Sequence, residues 1–306
     1  MNKITKRILE KIGQPALLEQ LSGLSPSDLN SLFLEINKAQ TNKLTPADVL
    51  KSYRKNRFVV PSALDPVRFY QLEADMTRAA RADGIMPVLL SPVAPLGSCS
   101  VFGCVDQNNV MAATRGCEVL SDTSNVLAIY LAAKIGSGEI DNSNGVHVCA
   151  LNRLIRTQAF EGAGRFAHFG VFCIVSSGKD TGSYSCEVDL LTKQLSFYRQ
   201  FFKTGYDADM TIVLKKRSGY TDTDGFFAKM LQLMQRQLPH VPITTDDSNT
   251  DNNYYKGVNF KIYMHTKTGA IEVGDGGFTD WTQKMLGNRK ERCLISGVGI
   301  DRLLLM

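Results

Sequence analysis

The residues of this chain that could do chemistry begin with a glycine-bearing segment at positions 296–302, Ser-Gly-Val-Gly-Ile-Asp-Arg, followed by leucines. Two glycines that alternate with β-branched residues are typical of a strand end where the backbone approaches a ligand closely. Arg302 opens the next, helical stretch, and a planar guanidinium can bind phosphate oxygens through two parallel hydrogen bonds. The pattern indicates an anion site at a strand-to-helix turn, and a buried turn with an ion-paired arginine is the alternative.

A second segment, residues 154–172, reads as a strand, a polar glycine-bearing loop and another strand. Arg156 and Gln158 are two positions apart, so on a strand they would point to the same face. His168 and Phe172 are four positions apart and would also share a face. An arginine for phosphate, a polar partner and an aromatic ring for a purine would form a nucleotide site. An ordinary hairpin with one buried ion pair is the alternative.

Taken together, the two segments resemble motifs 2 and 3 of the class II aminoacyl-tRNA synthetases. Motif 2 of that family runs Arg-x-Glu, a loop, His or Arg, three residues and Phe; motif 3 runs Gly-x-Gly-x-Gly-apolar-acid-Arg. In this sequence Gln158 stands where glutamate is usual, and Ile295 stands at the first glycine. The resemblance implies that the loop between the two strands folds over a triphosphate, with Arg165 as a second cation.

The resemblance is closest to the histidyl-tRNA synthetase branch. Residues 253–260 resemble its Leu-Asp-Tyr-Tyr-Thr-Gly signature, and residues 271–278 resemble its Gly-Gly-Gly-Arg-Tyr-Asp strand and turn. Further upstream, where the family places an acidic residue and a threonine for the substrate's α-amino group, Asp122 could equally be a plain helix cap. The resemblance implies an amino-acid pocket formed by Glu118, Asp122, Thr123, Tyr254, Tyr255, Gly274, Asp275 and Gly276.

The chemistry implied by the resemblance is attack of a carboxylate on the α-phosphorus of ATP, which gives an acyl-adenylate and pyrophosphate. Arg156 would bridge the carboxylate and the α-phosphate, and Arg302 would hold the γ-phosphate or stack on adenine. Phe172 would cover the opposite face of adenine, and His168 would donate to the bent triphosphate. The residues implied to bind ATP are Arg156, Gln158, His168, Phe172, Gly299 and Arg302.

A magnesium ion is also implied, because it accompanies ATP in this family. Mg²⁺ prefers one or two carboxylates together with phosphate oxygens. Glu272, on the strand that enters the glycine-rich turn, is the candidate metal ligand. The alternative is an exposed strand carboxylate without a metal.

The resemblance predicts an α+β fold, with a mostly antiparallel sheet of six or seven strands flanked by helices. A small N-terminal helical domain, residues 1–60, would precede a catalytic domain at residues 61–306. The short N-terminal helices are predicted by their spacing and by Ser-Pro and Thr-Pro starts. They could be a packed appendage or a recognition element for nucleic acid or a carrier protein. The resemblance also implies a homodimer.

Composition fits a compact protein of 306 residues with a net charge of +5. No apolar run approaches the about 18 residues that span a bilayer. Seven scattered cysteines without a Cys-x-x-Cys pair favour reduced thiols and a cytoplasmic location. The basic balance is compatible with a nucleotide or RNA partner.

The sequence resembles a synthetase core without an anticodon-binding domain, and three function classes remain open. The first is an ATP-dependent ligase that activates an amino acid or related carboxylate and passes it to tRNA, a carrier protein or a small molecule. The second is a non-catalytic paralogue that acts as a regulatory subunit. The third is a tRNA-binding or tRNA-modifying protein that uses the fold only as a platform. The triphosphate-binding residues favour the ligase, whereas Gln158 at the glutamate position favours the regulatory subunit.

Overall fold

The computed structural model describes residues 2–158, 167–246, 254–267 and 269–305. The helices are α1 Lys3–Ile12, α2 Leu17–Ser22, α3 Pro26–Thr41, α4 Pro46–Lys55, α5 Pro66–Ala82, α6 Thr123–Gly136, α7 Ser185–Tyr206, α8 Thr223–Gln237, α9 Trp281–Leu286 and α10 Ile300–Leu304. The strands are β1 Met86–Pro87, β2 Val93–Pro95, β3 Cys117–Val119, β4 Val146–Ile155, β5 His168–Lys179, β6 Met210–Lys216, β7 Ile243–Thr245, β8 Lys256–Thr266, β9 Gly269–Thr279 and β10 Glu291–Gly299. The α+β architecture predicted from the sequence is confirmed.

The main sheet has eight strands in the order β1-β4-β5-β10-β9-β8-β6-β7. The pairs β1–β4 and β6–β7 are parallel, and the other neighbours are antiparallel. The six long strands agree with the predicted number, and the two additional ones are short strands at the edges. A separate pair, β2–β3, lies outside this sheet.

Helices cover both faces of the sheet, so its central strands are buried on both sides. Side chains alternate along β5: Phe172 and Ile174 enter a large core with α5, α7 and α8, whereas Cys173 and Val175 enter a second core with α6 and α9. Because successive side chains of a strand point to opposite faces, one position of register decides which core a residue joins. This alternation also decides which residues of β5 can reach the functional site.

The N-terminal helices begin where the sequence predicts. Ser25 caps α3 and Thr45 caps α4 with their side-chain oxygens, and each helix has a proline at its first position. Within the described part of α1–α4, Leu9 is the one buried side chain. Just after α4, the Arg57 guanidinium donates to the carbonyl oxygens of Thr157 and Gln158.

The end of β4 differs from the sequence expectation. β4 ends at Ile155, so Arg156 and Gln158 follow the strand instead of sharing one of its faces. The loop that contains Arg165 lies outside the described residues.

In the parts of the chain that the structure describes, no helix is long and apolar enough to cross a membrane.

Candidate functional site

A cavity of about 380 Å³ opens on the α6 side of the sheet, beside β5, β9 and β10. Strand ends and helix starts surround it. The side chains and backbone that line it belong to Asp122, Ser124, Leu154, Arg156, Phe169, Gly170, Val171, Cys173, Tyr254, Tyr255, Glu272, Val273, Gly274, Asp275, Ile295, Ser296, Gly297, Gly299, Asp301 and Arg302. Segments that are far apart in the sequence therefore meet in one space.

Two arginines line this cavity. The Arg156 guanidinium lies 5.3 Å from the centre of the Phe169 ring, and its Nε donates to the Ser121 carbonyl oxygen at 3.4 Å. Arg302, on α10, donates from Nη1 to the Glu272 carbonyl oxygen at 2.6 Å. Neither arginine forms an ion pair with a carboxylate of the described residues. Both charges are thus available to an anion.

Two carboxylates that line the cavity are each held by a tyrosine. Tyr254 donates its hydroxyl to Asp122 Oδ2 at 3.2 Å, and Tyr255 donates to Asp275 Oδ2 at 3.1 Å. Asp122 also caps α6, because its Oδ1 accepts from the Ser124 backbone N–H and hydroxyl. The two rings contact each other edge to face, with centroids 4.8 Å apart, which fixes the spacing of the two hydroxyls.

Burial sets the protonation of this part of the cavity. It raises the pKa of the Asp275 carboxyl, although solvent reaches that residue through the cavity. The negative charges of Asp122 and Glu272 add to the increase in pKa. The Tyr255 hydroxyl and the positive charge of Arg156 oppose it. Burial and the neighbouring carboxylates raise the pKa of both tyrosines well above its ordinary value. At neutral pH the phenols therefore remain hydrogen-bond donors.

Comparisons identify the architecture but not a family by sequence. No family model matches the chain, and no curated protein matches it. The apo histidyl-tRNA synthetase of S. aureus superposes with a TM-score of 0.58 at 12% identity, over 80% of this chain and 69% of that one. A putative threonyl-tRNA synthetase from Aeropyrum pernix gives 0.61 at 12% identity, over 77% and 58%.

The chain has the fold of a class II aminoacyl-tRNA synthetase core. A third structure with this fold is described as an ATP phosphoribosyltransferase regulatory subunit/histidyl-tRNA synthetase from Bacillus halodurans C. It matches with a TM-score of 0.57 at 12% identity, over 82% of each chain. The present chain spans less than two thirds of the Aeropyrum protein that it resembles.

Most of the site residues predicted from the sequence line this cavity. The structure brings them together from five separate segments. They are Asp122, Arg156, Tyr254, Tyr255, Glu272, Gly274, Asp275, Gly299 and Arg302. Their placement is observed, and their roles in binding stay predictions.

The aromatic residue at the site is Phe169, and the assignment to Phe172 is corrected. Phe172 is completely buried in the large core, where its ring stacks on Phe197. Phe169 is three positions earlier on β5, points to the opposite face and lines the cavity. The sequence contains a signal for it, because Arg165 and Phe169 have the same spacing as His168 and Phe172.

His168 shares the face of Phe172 and does not line the cavity. Its Nε2 contacts the Val60 carbonyl oxygen at 2.6 Å, and its Nδ1 contacts the guanidinium of Arg153. Its predicted place at the triphosphate is therefore corrected. Gln158 is exposed and also lies outside the cavity lining, three positions after the end of β4.

Glu118 is buried away from the cavity in which its predicted contact with a substrate amino group would lie. Its side chain is 1% exposed and lies outside the cavity lining. Its carboxylate accepts from the backbone N–H groups of Gly97 and Cys99, at 2.8 and 3.0 Å, and from the Gln107 amide. Thr123 is completely buried and also does not line the cavity. Both assignments are corrected.

Gly274 and Gly276 of β9 are explained by strand packing. A Cβ at Gly274 would lie 2.2 Å from the Gly297 carbonyl oxygen, and one at Gly276 would lie 2.4 Å from the Ile295 carbonyl oxygen. The neighbouring strand β10 thus leaves no room for a side chain at either position. Gly276 is buried and does not line the cavity, so its assignment to the substrate pocket is corrected.

Glu272 could supply one ligand to a magnesium ion, but not a complete set. Its Oε2 accepts from the Lys261 ammonium at 2.8 Å and from the Tyr263 hydroxyl at 3.2 Å. The described residues contain no group of three or more His, Cys, Asp or Glu side chains that could hold a metal. A magnesium ion would therefore depend on phosphate oxygens for most of its ligands, and Glu272 could add one carboxylate oxygen.

Proposed function

We propose that this protein activates an amino acid with ATP. A carboxylate oxygen of the amino acid attacks the α-phosphorus, the bond to the leaving pyrophosphate breaks, and an acyl-adenylate forms. The observation that supports the proposal is that Arg156 and Arg302 line the same cavity as Asp122 and Asp275. A cavity with cations for phosphates and carboxylates for an ammonium group has the charges that the two substrates require.

Positioning and charge neutralisation supply most of the catalysis in such a reaction. Arg156 neutralises charge where the carboxylate and the α-phosphate meet, and Arg302 binds the more distant phosphates. Phe169, which lies under Arg156, provides an aromatic surface for the adenine. Asp122, at the start of α6, receives the α-ammonium group. Mg²⁺ that arrives with ATP would neutralise phosphate charge, and Glu272 is the residue that would help to hold it.

The experiment is ATP–pyrophosphate exchange with the full chain, Mg²⁺ and each of the twenty amino acids in turn, together with a separate measurement of ATP binding. Exchange that one amino acid stimulates is the expected result. Absence of exchange with every amino acid, together with no ATP binding, would contradict the proposal. ATP binding without exchange by any of the twenty would direct the search to other carboxylates, tested in the same assay.

A second candidate is a non-catalytic role as a regulatory subunit or tRNA-binding protein. It is favoured by Gln158, which replaces the motif 2 glutamate and lies outside the cavity lining. The likeness to the Bacillus halodurans structure, whose description includes a regulatory subunit, is compatible with it. This candidate predicts no ATP–pyrophosphate exchange. It also predicts that Arg156→Ala leaves the regulatory activity or tRNA binding unchanged.

A further inference from the structure

Charged groups of both signs line the cavity, and their local partners differ. Glu272 is neutralised by Lys261 at 2.8 Å. Asp301 is buried, and its Oδ1 accepts from the Gly170 N–H at 2.8 Å. Asp122 and Asp275 form no ion pair within the described residues. Asp301 also forms no ion pair within the described residues, so three lining carboxylates share this property, and Asp122 and Asp275 are the two of them that are not buried.

The two carboxylates are not equivalent. Asp122 accepts three hydrogen bonds, from the Ser124 backbone and hydroxyl and from Tyr254. Asp275 has one hydrogen bond, from Tyr255, and it is reached by solvent through the cavity. An ionised carboxylate in a largely enclosed place is costly unless a cation or several donors compensate it. Of the two unburied cavity carboxylates that form no ion pair, Asp275 therefore accepts fewer hydrogen bonds and has the greater unmet demand for a positive charge.

A simple amino acid cannot meet this demand and also satisfy the rest of the site. It brings one carboxylate, which the proposed reaction places at Arg156, and one α-ammonium group, which the proposed function assigns to Asp122. Asp275 would remain uncompensated. A side chain with its own positive charge would restore the balance and would also displace solvent from the carboxylate.

We propose that the substrate is an amino acid whose side chain carries a second positive charge, and that Asp275 binds this charge while Tyr255 orients the carboxylate. This inference rests on the proposed function, because it divides the amino-acid part of the same cavity. The raised pKa of the Asp275 carboxyl, which is caused mainly by burial, agrees with a group that is costly to ionise until a cation binds.

The test measures equilibrium binding to the full chain by titration calorimetry, with three matched pairs of ligands. L-lysine is compared with L-norleucine, L-ornithine with L-norvaline, and L-arginine with L-citrulline, so that each pair differs mainly in the side-chain charge. At least one cationic member is expected to bind about tenfold or more tightly than its neutral partner. Neutral members that bind as tightly in all three pairs, or no binding by any cationic member, would overturn the inference.

The variant Asp275→Asn is expected to bring the affinity for the preferred cationic ligand to that of its neutral partner. ATP affinity and the midpoint of thermal unfolding serve as controls for folding. Asp207→Asn is the matched control, because this substitution removes the same charge. Asp207 is 91% exposed, forms an ion pair with Lys203 and does not line the cavity. A retained preference in a folded Asp275→Asn protein would overturn the inference; if that variant does not fold, the ligand pairs on the unmodified protein decide.

Two further arms separate this inference from the proposed function. Exchange supported by neutral amino acids alone would keep amino-acid activation and overturn the assignment of Asp275. Cadaverine, which has the two ammonium groups without a carboxylate, is expected to bind at least about tenfold more weakly than lysine. Cadaverine that binds as tightly as lysine, without exchange by any amino acid, would contradict activation and with it the amino-acid substrate.

Discussion

The guanidinium carbon of Arg156 lies 5.3 Å from the centre of the Phe169 ring, so a cation and an aromatic surface are held together at the wall of one cavity. The two residues approach each other from opposite ends of the connection between β4 and β5. A cation over an aromatic face is attractive, and both groups still line the open space. This arrangement is suited to a ligand with both a flat ring and phosphate charge.

The first prediction separates the two phenylalanines of β5. Phe169→Ala is expected to weaken ATP binding by about tenfold, because an adenine would lose a stacking surface worth roughly 1–3 kcal/mol. Phe172→Ala is expected to lower the free energy of unfolding by about 3–5 kcal/mol, because its completely buried ring leaves a cavity in the large core. Calorimetric titration with ATP and urea unfolding measure the two effects. The account of the site is contradicted if a folded Phe169→Ala protein binds ATP as tightly as the unmodified protein.

The second prediction concerns Glu118, whose carboxylate stabilises the loop at residues 97–99 by accepting from its backbone N–H groups. Glu118→Gln is expected to lower the free energy of unfolding by about 2–3 kcal/mol, because a neutral amide replaces a charged acceptor of two backbone N–H groups. Urea unfolding measures this loss. Amino-acid affinity, measured below the unfolding transition, should change less than about threefold. An unchanged stability with a large loss of amino-acid affinity would restore Glu118 as a substrate ligand.

The third prediction is a dependence of stability on pH from His147. Burial is the main reason that its pKa falls from 6.5 to about 4 in the folded protein. As the pH decreases from 6.5, the unfolded chain therefore takes up the proton first, and stability is lost progressively toward pH 4. The contribution is fully present above pH 6.5 and amounts to about 3 kcal/mol.

His147→Gln removes this titration and leaves the other groups in place. Urea unfolding at intervals between pH 4.5 and 7.5 is expected to give a flatter profile for the variant than for the unmodified protein. The difference between the two profiles isolates the histidine from the acidic residues that titrate in both proteins. Parallel profiles would show that His147 is protonated to the same extent in the folded and unfolded states.

The sequence predicted the elements and the meeting of distant segments, because these depend on local patterns. The helix start at Asp122 and the strand-to-helix turn before Arg302 carry their own signals in capping and in glycine spacing. The similarity to the synthetase motifs then placed Arg156 and Arg302 in one site, and both line the cavity. The paired tyrosines and Asp275 were found in the same way.

Other features depend on register and tertiary burial, which the sequence pattern does not determine. Phe169 and Phe172 are both plausible aromatic positions until the alternation of β5 assigns them to different faces. Glu118 is an acidic residue at a suitable place, but backbone N–H groups from residues 97 and 99, about twenty positions away, already occupy its carboxylate. His168 and Gln158 were misplaced because the end of β4 and the contacts with residues 57–60 are tertiary features.

The most direct test of the central claim compares two arginines of the same segment in ATP–pyrophosphate exchange. Arg156 lines the cavity, whereas Arg153 is exposed, contacts His168 and lies outside the cavity lining. With the amino acid that stimulates exchange, Arg156→Ala is expected to reduce the rate by about 100-fold or more, and Arg153→Ala by less than about threefold. Equal rates for folded Arg156→Ala and unmodified protein would contradict the claim that this cavity activates a carboxylate with ATP.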